Sequence, residues 1–133
     1  MIPLLNVKNL SKSYGKITGC SNINLDLLKG EILGIVGESG SGKSTLLSCL
    51  AGNLIPDKGT ITFNTEKDGP KNTLKMTEPE KRHLIRTDWA YVHQNPRDGL
   101  RMAISAGGNI GERLMSVGAR NYLSIREKAK EWL

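Results

Sequence analysis

Residues 37 to 44 have the types and spacing of a phosphate-binding loop. They read Gly-Glu-Ser-Gly-Ser-Gly-Lys-Ser, which fits the pattern G-x-x-x-x-G-K-[ST]. Glycines at 37, 40 and 42 permit positive φ angles, so that backbone N–H groups can surround a phosphate. Lys43 adds a positive charge, and the hydroxyl of Ser44 is a ligand that suits Mg²⁺. This stretch therefore predicts a phosphate-bearing ligand.

The segments on either side have the composition needed to position this loop. The aliphatic residues 32 to 36 predict a buried strand, 31 to 36, that ends at the loop. Residues 44 to 51 favour a helix, and Gly52 is a natural C-cap. A phosphate at the start of this helix would also meet the positive end of the helix dipole. Strand, loop and helix follow in the order that the motif requires.

Length and composition are those of one globular domain. The chain has 133 residues, of which 38% are hydrophobic and 24% charged. Its longest aliphatic run is far too short to span a membrane, and its start lacks a charged leader followed by an apolar stretch. We therefore expect a cytoplasmic protein with no direct membrane insertion. Cys20 and Cys49 lack metal-ligand spacing and are expected to be reduced, packed thiols.

The net charge of +6 is spread evenly along the chain. Residues 1–60 have six basic and four acidic residues, 61–110 have eight and six, and 111–133 have five and three. Each section thus has a net charge of +2. Neither a block of like charge nor an alternation of aromatic and basic residues is present. The distribution favours an ordinary solvated surface, and we expect no nucleic-acid partner.

Periodicity and turn signals predict the remaining elements. Strands are expected at 4–10, 20–27, 60–64 and 89–93. The turn residues 56 to 59 precede the third of these, and Asp68-Gly69 is a further turn signal. Helices are expected from a capping box at Thr77–Glu80 to Thr87, over 107–118, and over 124–133 from a second capping box at Ser124–Glu127.

Taken in order, these segments resemble the N-terminal half of an ATP-binding cassette (ABC) protein. Residues 10–15 resemble the adenine-contacting segment, 37–45 the phosphate loop, 54–61 a characteristic turn and strand, and Gln94 the Q-loop glutamine. The resemblance implies an α/β fold of the P-loop NTPase type. Within an incomplete nucleotide-binding domain over 1–133, residues 1–95 would form the N-terminal antiparallel strands and part of the core sheet. Residues 96–133 would begin the helical subdomain.

Three stretches carry a narrower resemblance. Residues 86–89, 92–96 and 105–115 are similar to the ATP-binding subunits of bacterial carbon–phosphorus lyase (phosphonate-degrading) systems. Most cassette proteins have phenylalanine at the position of His93, whereas the lyase-associated subunits have histidine. We expect a structural role for His93.

The resemblance implies ATP and Mg²⁺ as cofactors and assigns roles to individual residues. Tyr14 would stack on adenine. Gln94 would be the catalytic residue that reaches Mg²⁺ or its water, and Ser44 would be the second metal ligand. The Glu38 carboxylate is expected to face solvent, because bound phosphate would repel it. The residues implied to bind nucleotide through the loop are Gly37, Glu38, Ser39, Gly40, Ser41, Gly42, Lys43, Ser44 and Thr45.

The stretch Ser105 to Asn109 resembles the family's Leu-Ser-Gly-Gly-Gln signature. It follows Gln94 by only eleven residues and precedes the predicted helices, whereas the family signature follows such helices. We interpret it as a loop that starts a helix.

The acidic pair that the family uses for hydrolysis is missing. No acid in the sequence follows four aliphatic residues, and the true signature and the switch histidine are also not found. We therefore expect a truncated chain that binds nucleotide weakly or not at all and does not hydrolyse it.

Three functions remain open at this stage. The chain is expected to be part of a cassette ATPase subunit that forms a homodimer and serves a carbon–phosphorus lyase core complex. Alternatively, it couples ATP to a peptide-type or phosphonate importer through a membrane permease, at the inner-membrane surface. The third possibility is a nucleotide-binding module without catalysis.

Overall fold

The computed structural model describes residues 2–65 and 68–133, which form two compact units. The first extends to Lys81 and the second runs from Arg82 to Leu133. The elements in chain order are β1 Leu5–Tyr14, β2 Ile17–Leu27, α1 Lys43–Leu50, β3 Lys58–Thr65, β4 Gly69–Asn72, a 3₁₀ turn Thr73–Lys75, α2 Glu78–Thr87, α3 Pro96–Gly99, α4 Ala106–Ser116 and α5 Tyr122–Trp132.

An antiparallel sheet with the strand order β2-β1-β3-β4 dominates the first unit. The hairpin between β1 and β2 turns at Gly15, which has φ +60°. β1 also pairs with β3, with Leu5 opposite Phe63 and Val7 opposite Ile61. The predicted strands 4–10, 20–27 and 60–64 are confirmed and extended, and β4 was not predicted. Its sequence Gly-Pro-Lys-Asn lacks the residues that favour strands.

Helix α1 closes a small core over one face of this sheet. Val7 and Leu10 of β1, Ile61 of β3, and Leu46 and Cys49 of α1 are buried together. Burying an aliphatic side chain of this size stabilises a fold by about 1.5–3 kcal/mol. The core therefore fixes α1 on the sheet, and with it the loop that precedes the helix. Both cysteines are buried and free, as predicted.

Two predicted strands are not formed. Residues 31–36 and 89–93 have no strand assignment and pair with no other strand in the described part of the chain. Ile32, Val36 and Val92 are more than 90% exposed. A strand needs a neighbour that pairs with its backbone N–H and C=O groups, as well as a suitable composition. The predictions of a buried strand at 31–36 and of a strand at 89–93 are therefore wrong.

Capping residues define the helices around the end of the first unit and in the second. The Glu80 half of the predicted capping box at the start of α2 is formed, because Glu80 Oε2 accepts hydrogen bonds from the Thr77 amide and hydroxyl, each at 2.8 Å. Predicted helices 107–118 and 124–133 correspond to α4 and α5. The predicted cap at Ser124 is wrong, since Asn121 caps α5 by accepting from the Ser124 amide at 3.1 Å.

Arg113 of α4 ties the second unit together. Its guanidinium donates to the Ile85 carbonyl at 2.6 Å and to the Trp89 carbonyl at 3.2 Å. These bonds hold the end of α2 and the segment that follows it against α4. None of the helices in residues 2–65 and 68–133 combines the length and apolarity needed to cross a bilayer.

Candidate phosphate-binding site

The glycine-rich loop leads directly into α1 and is shaped by left-handed backbone conformations. Gly40 and Gly42 have φ angles of +81° and +93°, as the motif predicted. At Gly42 a side chain is also excluded by space, because a Cβ atom would lie 1.8 Å from the Gly19 carbonyl oxygen. The start of α1 thus rests against the backbone of β2. This contact sets the height of the loop above the sheet.

The ammonium group of Lys43 lies inside the curve of the loop. Its Nζ donates to the Gly37 carbonyl at 2.8 Å, to the Glu38 carbonyl at 2.5 Å and to the Ser41 hydroxyl at 3.2 Å. All three partners are neutral oxygens. The positive charge is therefore positioned by the loop without being neutralised.

Two hydroxyl residues follow the lysine on α1. Ser44 is exposed, and its hydroxyl forms no hydrogen bond with the residues that the structure describes. Thr45 is half-buried, and its Oγ1 lies 3.5 Å from the Tyr14 hydroxyl. The first hydroxyl is thus available to a ligand, and the second links α1 to Tyr14.

Tyr14 is brought to the loop by the end of β1. A Cβ on Gly19 would lie 2.9 Å from Tyr14 Cε2 and 2.8 Å from Thr45 Cγ2, so the ring rests where β2 has no side chain. Tyr14 as a whole is 49% exposed, so part of this residue is accessible beside Thr45 at the start of α1. The family resemblance alone predicts that Tyr14 and the loop act together, and in the structure Tyr14 lies against Thr45 at the end of the loop.

The donor set fits a magnesium-bound nucleotide phosphate. The loop offers an ammonium group, an exposed hydroxyl and glycine backbone, while Glu38 and Ser39 are exposed. No group of three or more His, Cys, Asp or Glu residues that could hold a metal occurs in the described ranges. The exposed Ser44 hydroxyl is the loop group that would hold Mg²⁺, an ion that binds few protein groups beside phosphate oxygens and water.

Gln94 lies in the second unit, in a bend just before α3. Its side chain is exposed and has no hydrogen bond with any described residue. The neighbouring His93 ring packs edge-on against Tyr91, with centroids 4.9 Å apart, and sits over Gly99. His93 thus has the structural contacts that the sequence led us to expect. The role of Gln94 stays a prediction.

The stretch 105–109 starts α4, as predicted. Ser105 accepts a hydrogen bond from the Gly108 amide at 3.1 Å, and Asn109 bonds to both the amide and the carbonyl of Arg101. The polar groups of this stretch are thus hydrogen-bonded within the second unit.

A cavity of about 370 Å³ lies between α4 and α5, lined by glycines and apolar residues with Arg120, Arg126 and Lys130.

Asp57, in the turn before β3, bonds to the end of β1 that carries Tyr14, and the sequence did not identify it as a site residue. Its carboxylate accepts from Lys12 Nζ at 2.8 Å and from the Ser13 amide at 2.7 Å, and its own amide donates to the Ser11 carbonyl at 2.9 Å. Gly19 was missed as well, because a single glycine in a strand carries no motif. In the sequence, Asp57 was only part of a turn.

Hydrogen bonding and burial shift the pKa of three groups close to this site. The Lys12 ammonium, followed by the Ser13 amide, lowers the pKa of Asp57. The hydrogen bond between the Lys12 ammonium and the Asp57 carboxylate raises the pKa of Lys12. Burial raises the pKa of the Cys49 thiol, which keeps it protonated and unreactive. The Asp57 carboxylate is therefore charged at neutral pH.

The sequence matches known proteins along nearly its whole length. Residues 20–133 match the family model described as ABC transporter. The chain is 50% identical over 131 residues to the phosphonates utilization ATP-binding protein PhnK of Escherichia coli (strain K12), which covers 98% of the chain and 50% of that protein. It is 41% identical over 95 residues to the phosphonates import ATP-binding protein PhnC of Fusobacterium nucleatum, covering 71% of the chain and 36% of that protein.

Solved structures agree with the sequence matches. The dimeric structure of MJ0796, a bacterial ABC transporter cassette, superimposes with a TM-score of 0.82 and 28% identity, covering 96% of this chain and 54% of that one. A post-hydrolysis state of the same cassette, bound to ADP and Pi, gives a TM-score of 0.80. The chain spans about half the length of these relatives. Because the family model matches residues 20–133 and the fold superimposes on a solved cassette, the chain belongs to the ABC transporter family as an ATP-binding domain of the P-loop NTPase fold.

Proposed function

We propose that residues 37–45 bind the phosphates of MgATP, with Tyr14 against the adenine. The observation that supports this most directly is the position of the Lys43 ammonium, which three neutral oxygens of the loop hold inside its curve. An amine held in this way can exchange those oxygens for phosphate oxygens. The loop oxygens are neutral and the phosphate oxygens carry negative charge, so Coulomb attraction to the ammonium favours the exchange.

The other loop residues have separate roles in this proposal. The backbone N–H groups of Gly40 and Gly42 surround the phosphates, and the N-terminus of α1 contributes the positive end of its dipole. The exposed hydroxyl of Ser44 binds the metal, and the assignment of Gln94 as a second metal ligand rests on the family resemblance alone. When present, Mg²⁺ neutralises charge on the phosphates. Glu38 contributes its backbone and keeps its exposed carboxylate in solvent.

We infer that these 133 residues bind nucleotide weakly and do not hydrolyse it by themselves. Hydrolysis in the family requires an acid after an aliphatic strand, and no such pattern occurs in the sequence. In a longer protein, paired with a second copy, the same loop would serve ATP hydrolysis. Residues 96–133 would there begin the helical subdomain.

We propose a phosphonate utilisation system as the setting of that longer protein, with the carbon–phosphorus lyase core complex as its partner. The support is the 50% identity to PhnK, which extends over 98% of the chain. The importer remains a second candidate, because PhnC proteins match up to 71% of the chain at 41% identity. Lyase subunit genes beside the coding sequence would favour the first candidate, and a membrane permease gene would favour the second.

The loop assignment is tested by Lys43→Ala. Binding of MgATP and of magnesium tripolyphosphate is followed through the NMR amide signals of Gly40 and Gly42, a method that detects weak affinity. Losing a charge-assisted hydrogen bond costs about 1.5–3 kcal/mol, so we expect both affinities to fall by roughly tenfold to a hundredfold.

The matched control is Lys8→Ala, which removes the same charge from an exposed position on β1. It should leave both affinities within about twofold, since long-range charge is screened by salt. Equal losses in the two variants would show that the loop is not the binding site. Wild-type protein that binds neither ligand would contradict the proposed function itself.

A further inference from the structure

We propose that Asp57 is a positioning residue for nucleotide base recognition, holding the end of β1 so that the Tyr14 ring faces the ligand. The inference rests on the proposed binding of MgATP by the loop. It adds a residue from the turn before β3, which is distant in sequence from both Tyr14 and the loop. Asp57 contacts neither ring nor phosphate and acts through β1.

Three hydrogen bonds connect Asp57 to the three residues that precede Tyr14. Its amide donates to the Ser11 carbonyl at 2.9 Å, and its carboxylate accepts from the Lys12 side chain at 2.8 Å and from the Ser13 amide at 2.7 Å. Every residue of this short segment is thus fixed to the same turn. Ser13 and Tyr14 pair with Thr18 and Ile17 of β2, but the register of β1 shifts three times between Val7 and Ser13, so the bonds to Asp57 support a part of the strand where pairing with β2 is irregular.

The turn that carries Asp57 is itself firmly seated. Pro56 is buried, and a Cβ on Gly59 would lie 2.6 Å from both the Leu10 Cα and the Lys8 carbonyl oxygen. The backbone on either side of Asp57 therefore packs closely on β1. A carboxylate in such a turn can hold the end of the neighbouring strand in one position.

The bond to the Ser13 amide matters more than the ion pair with Lys12. The Asp57 side chain is 47% exposed and the Lys12 side chain 17% exposed, and pairs near solvent contribute little. A carboxylate that accepts from a backbone amide also restrains the main chain one residue before Tyr14. We therefore expect substitutions that remove the acceptor to act more strongly than those that remove only the charge.

The experiment separates the base from the phosphates. Affinities for MgATP and magnesium tripolyphosphate are measured by the NMR titration in the wild type, Asp57→Ala and Asp57→Asn. Stacking on an aromatic residue contributes enough per base that its loss weakens binding by about fivefold to a hundredfold. Asp57→Ala should lose at least about fivefold for MgATP and stay within about twofold for tripolyphosphate. Asp57→Asn keeps an oxygen acceptor for the Ser13 amide and should show a smaller loss.

A second variant shows whether Asp57 acts through the ring. In a Tyr14→Leu background, which has no aromatic ring to position, Asp57→Ala should weaken MgATP binding no further. An additional loss there, or an equal loss for both ligands, would overturn the proposal, because it would mean general disruption of the loop. An unchanged MgATP affinity in Asp57→Ala would overturn it too.

Asp26→Ala is the matched control, since it removes the same charge from the opposite end of the β1–β2 hairpin, where Asp26 accepts from Asn6. It should leave both affinities within about twofold. Failure of this proposal is distinguishable from failure of the proposed function, because tripolyphosphate binding tests the loop without the base.

Discussion

At the scale of single residues, Gly42 supports the phosphate loop in two ways. Its φ of +93° disfavours any other residue, and a Cβ would lie 1.8 Å from the Gly19 carbonyl oxygen. Gly40 shares the positive φ, at +81°, but a Cβ there would meet nothing within 4 Å. A side chain at Gly40 would therefore introduce backbone strain alone, whereas one at Gly42 would introduce both strain and a steric clash.

This difference predicts the order of two alanine variants. Gly40→Ala should destabilise the first unit by about 1–3 kcal/mol through strain, and Gly42→Ala by more, because α1 must move away from β2. Urea unfolding followed by far-UV circular dichroism measures both. Gly34→Ala, without a positive φ and with open space around it, is the neutral control. Equal losses at 40 and 42 would contradict the packing of Gly42 on Gly19.

Residues that belong to a motif could be identified from the sequence, and residues that act by packing could not. Lys43 and Ser44 followed from type and spacing alone. Gly19 and Asp57 did not, since a glycine in a strand and an aspartate in a turn have many ordinary uses. Their importance arises from contacts across the sheet, which only the fold brings together.

At the scale of elements, the start of α5 depends on Asn121. Its side chain accepts from the Ser124 amide at 3.1 Å, whereas the sequence pattern had favoured Ser124 and Glu127 as a capping box. Both residue types are good caps, so local sequence permitted either start. The chain uses the earlier cap, so α5 begins at Tyr122, two residues before the predicted start.

Asn121→Ala should therefore destabilise the second unit by about 1 kcal/mol. Ser124→Ala removes the hydroxyl of the rejected cap and should change stability by less than about 0.5 kcal/mol. Urea unfolding monitored by tryptophan fluorescence suits this comparison, because Trp89 and Trp132 both lie in the second unit. A larger loss of stability in Ser124→Ala than in Asn121→Ala would indicate that Ser124, and not Asn121, caps α5.

The strands show how far periodicity predicts an element. β1, β2 and β3 were identified from alternation and turn residues, and each finds an antiparallel neighbour nearby in sequence. The segments 31–36 and 89–93 have equally suitable composition but no pairing in the described part of the chain. Local sequence reports the tendency to form a strand, and pairing decides whether one forms.

At the scale of the whole molecule, two carboxylates make the fold sensitive to acid. The Lys12 and Ser13 hydrogen bonds lower the pKa of Asp57, and the Thr77 amide and hydroxyl lower that of Glu80. In the unfolded chain both groups return to ordinary values, so that state binds more protons at acid pH. Their contribution is present above these ordinary values and is lost as pH falls through the lower, folded ones.

We therefore expect the urea midpoint of the first unit to fall as pH drops below the ordinary values of 3.8 for Asp57 and 4.5 for Glu80. The double variant Asp57→Asn, Glu80→Gln should fall less steeply over this range. High salt serves as the control, because it screens long-range charge but not direct hydrogen bonds. If the urea midpoints of the wild type and the double variant fell equally steeply as pH drops, these hydrogen bonds would not persist in solution.

The Lys43 contacts with the loop have a consequence for the entropy of binding. A free lysine side chain loses up to about 2 kcal/mol of conformational entropy when it becomes fixed. Here the Gly37 and Glu38 carbonyls and the Ser41 hydroxyl fix the side chain during folding. An arriving phosphate therefore meets an ammonium group that is already ordered, and what it must supply is only the exchange of one set of oxygens for another.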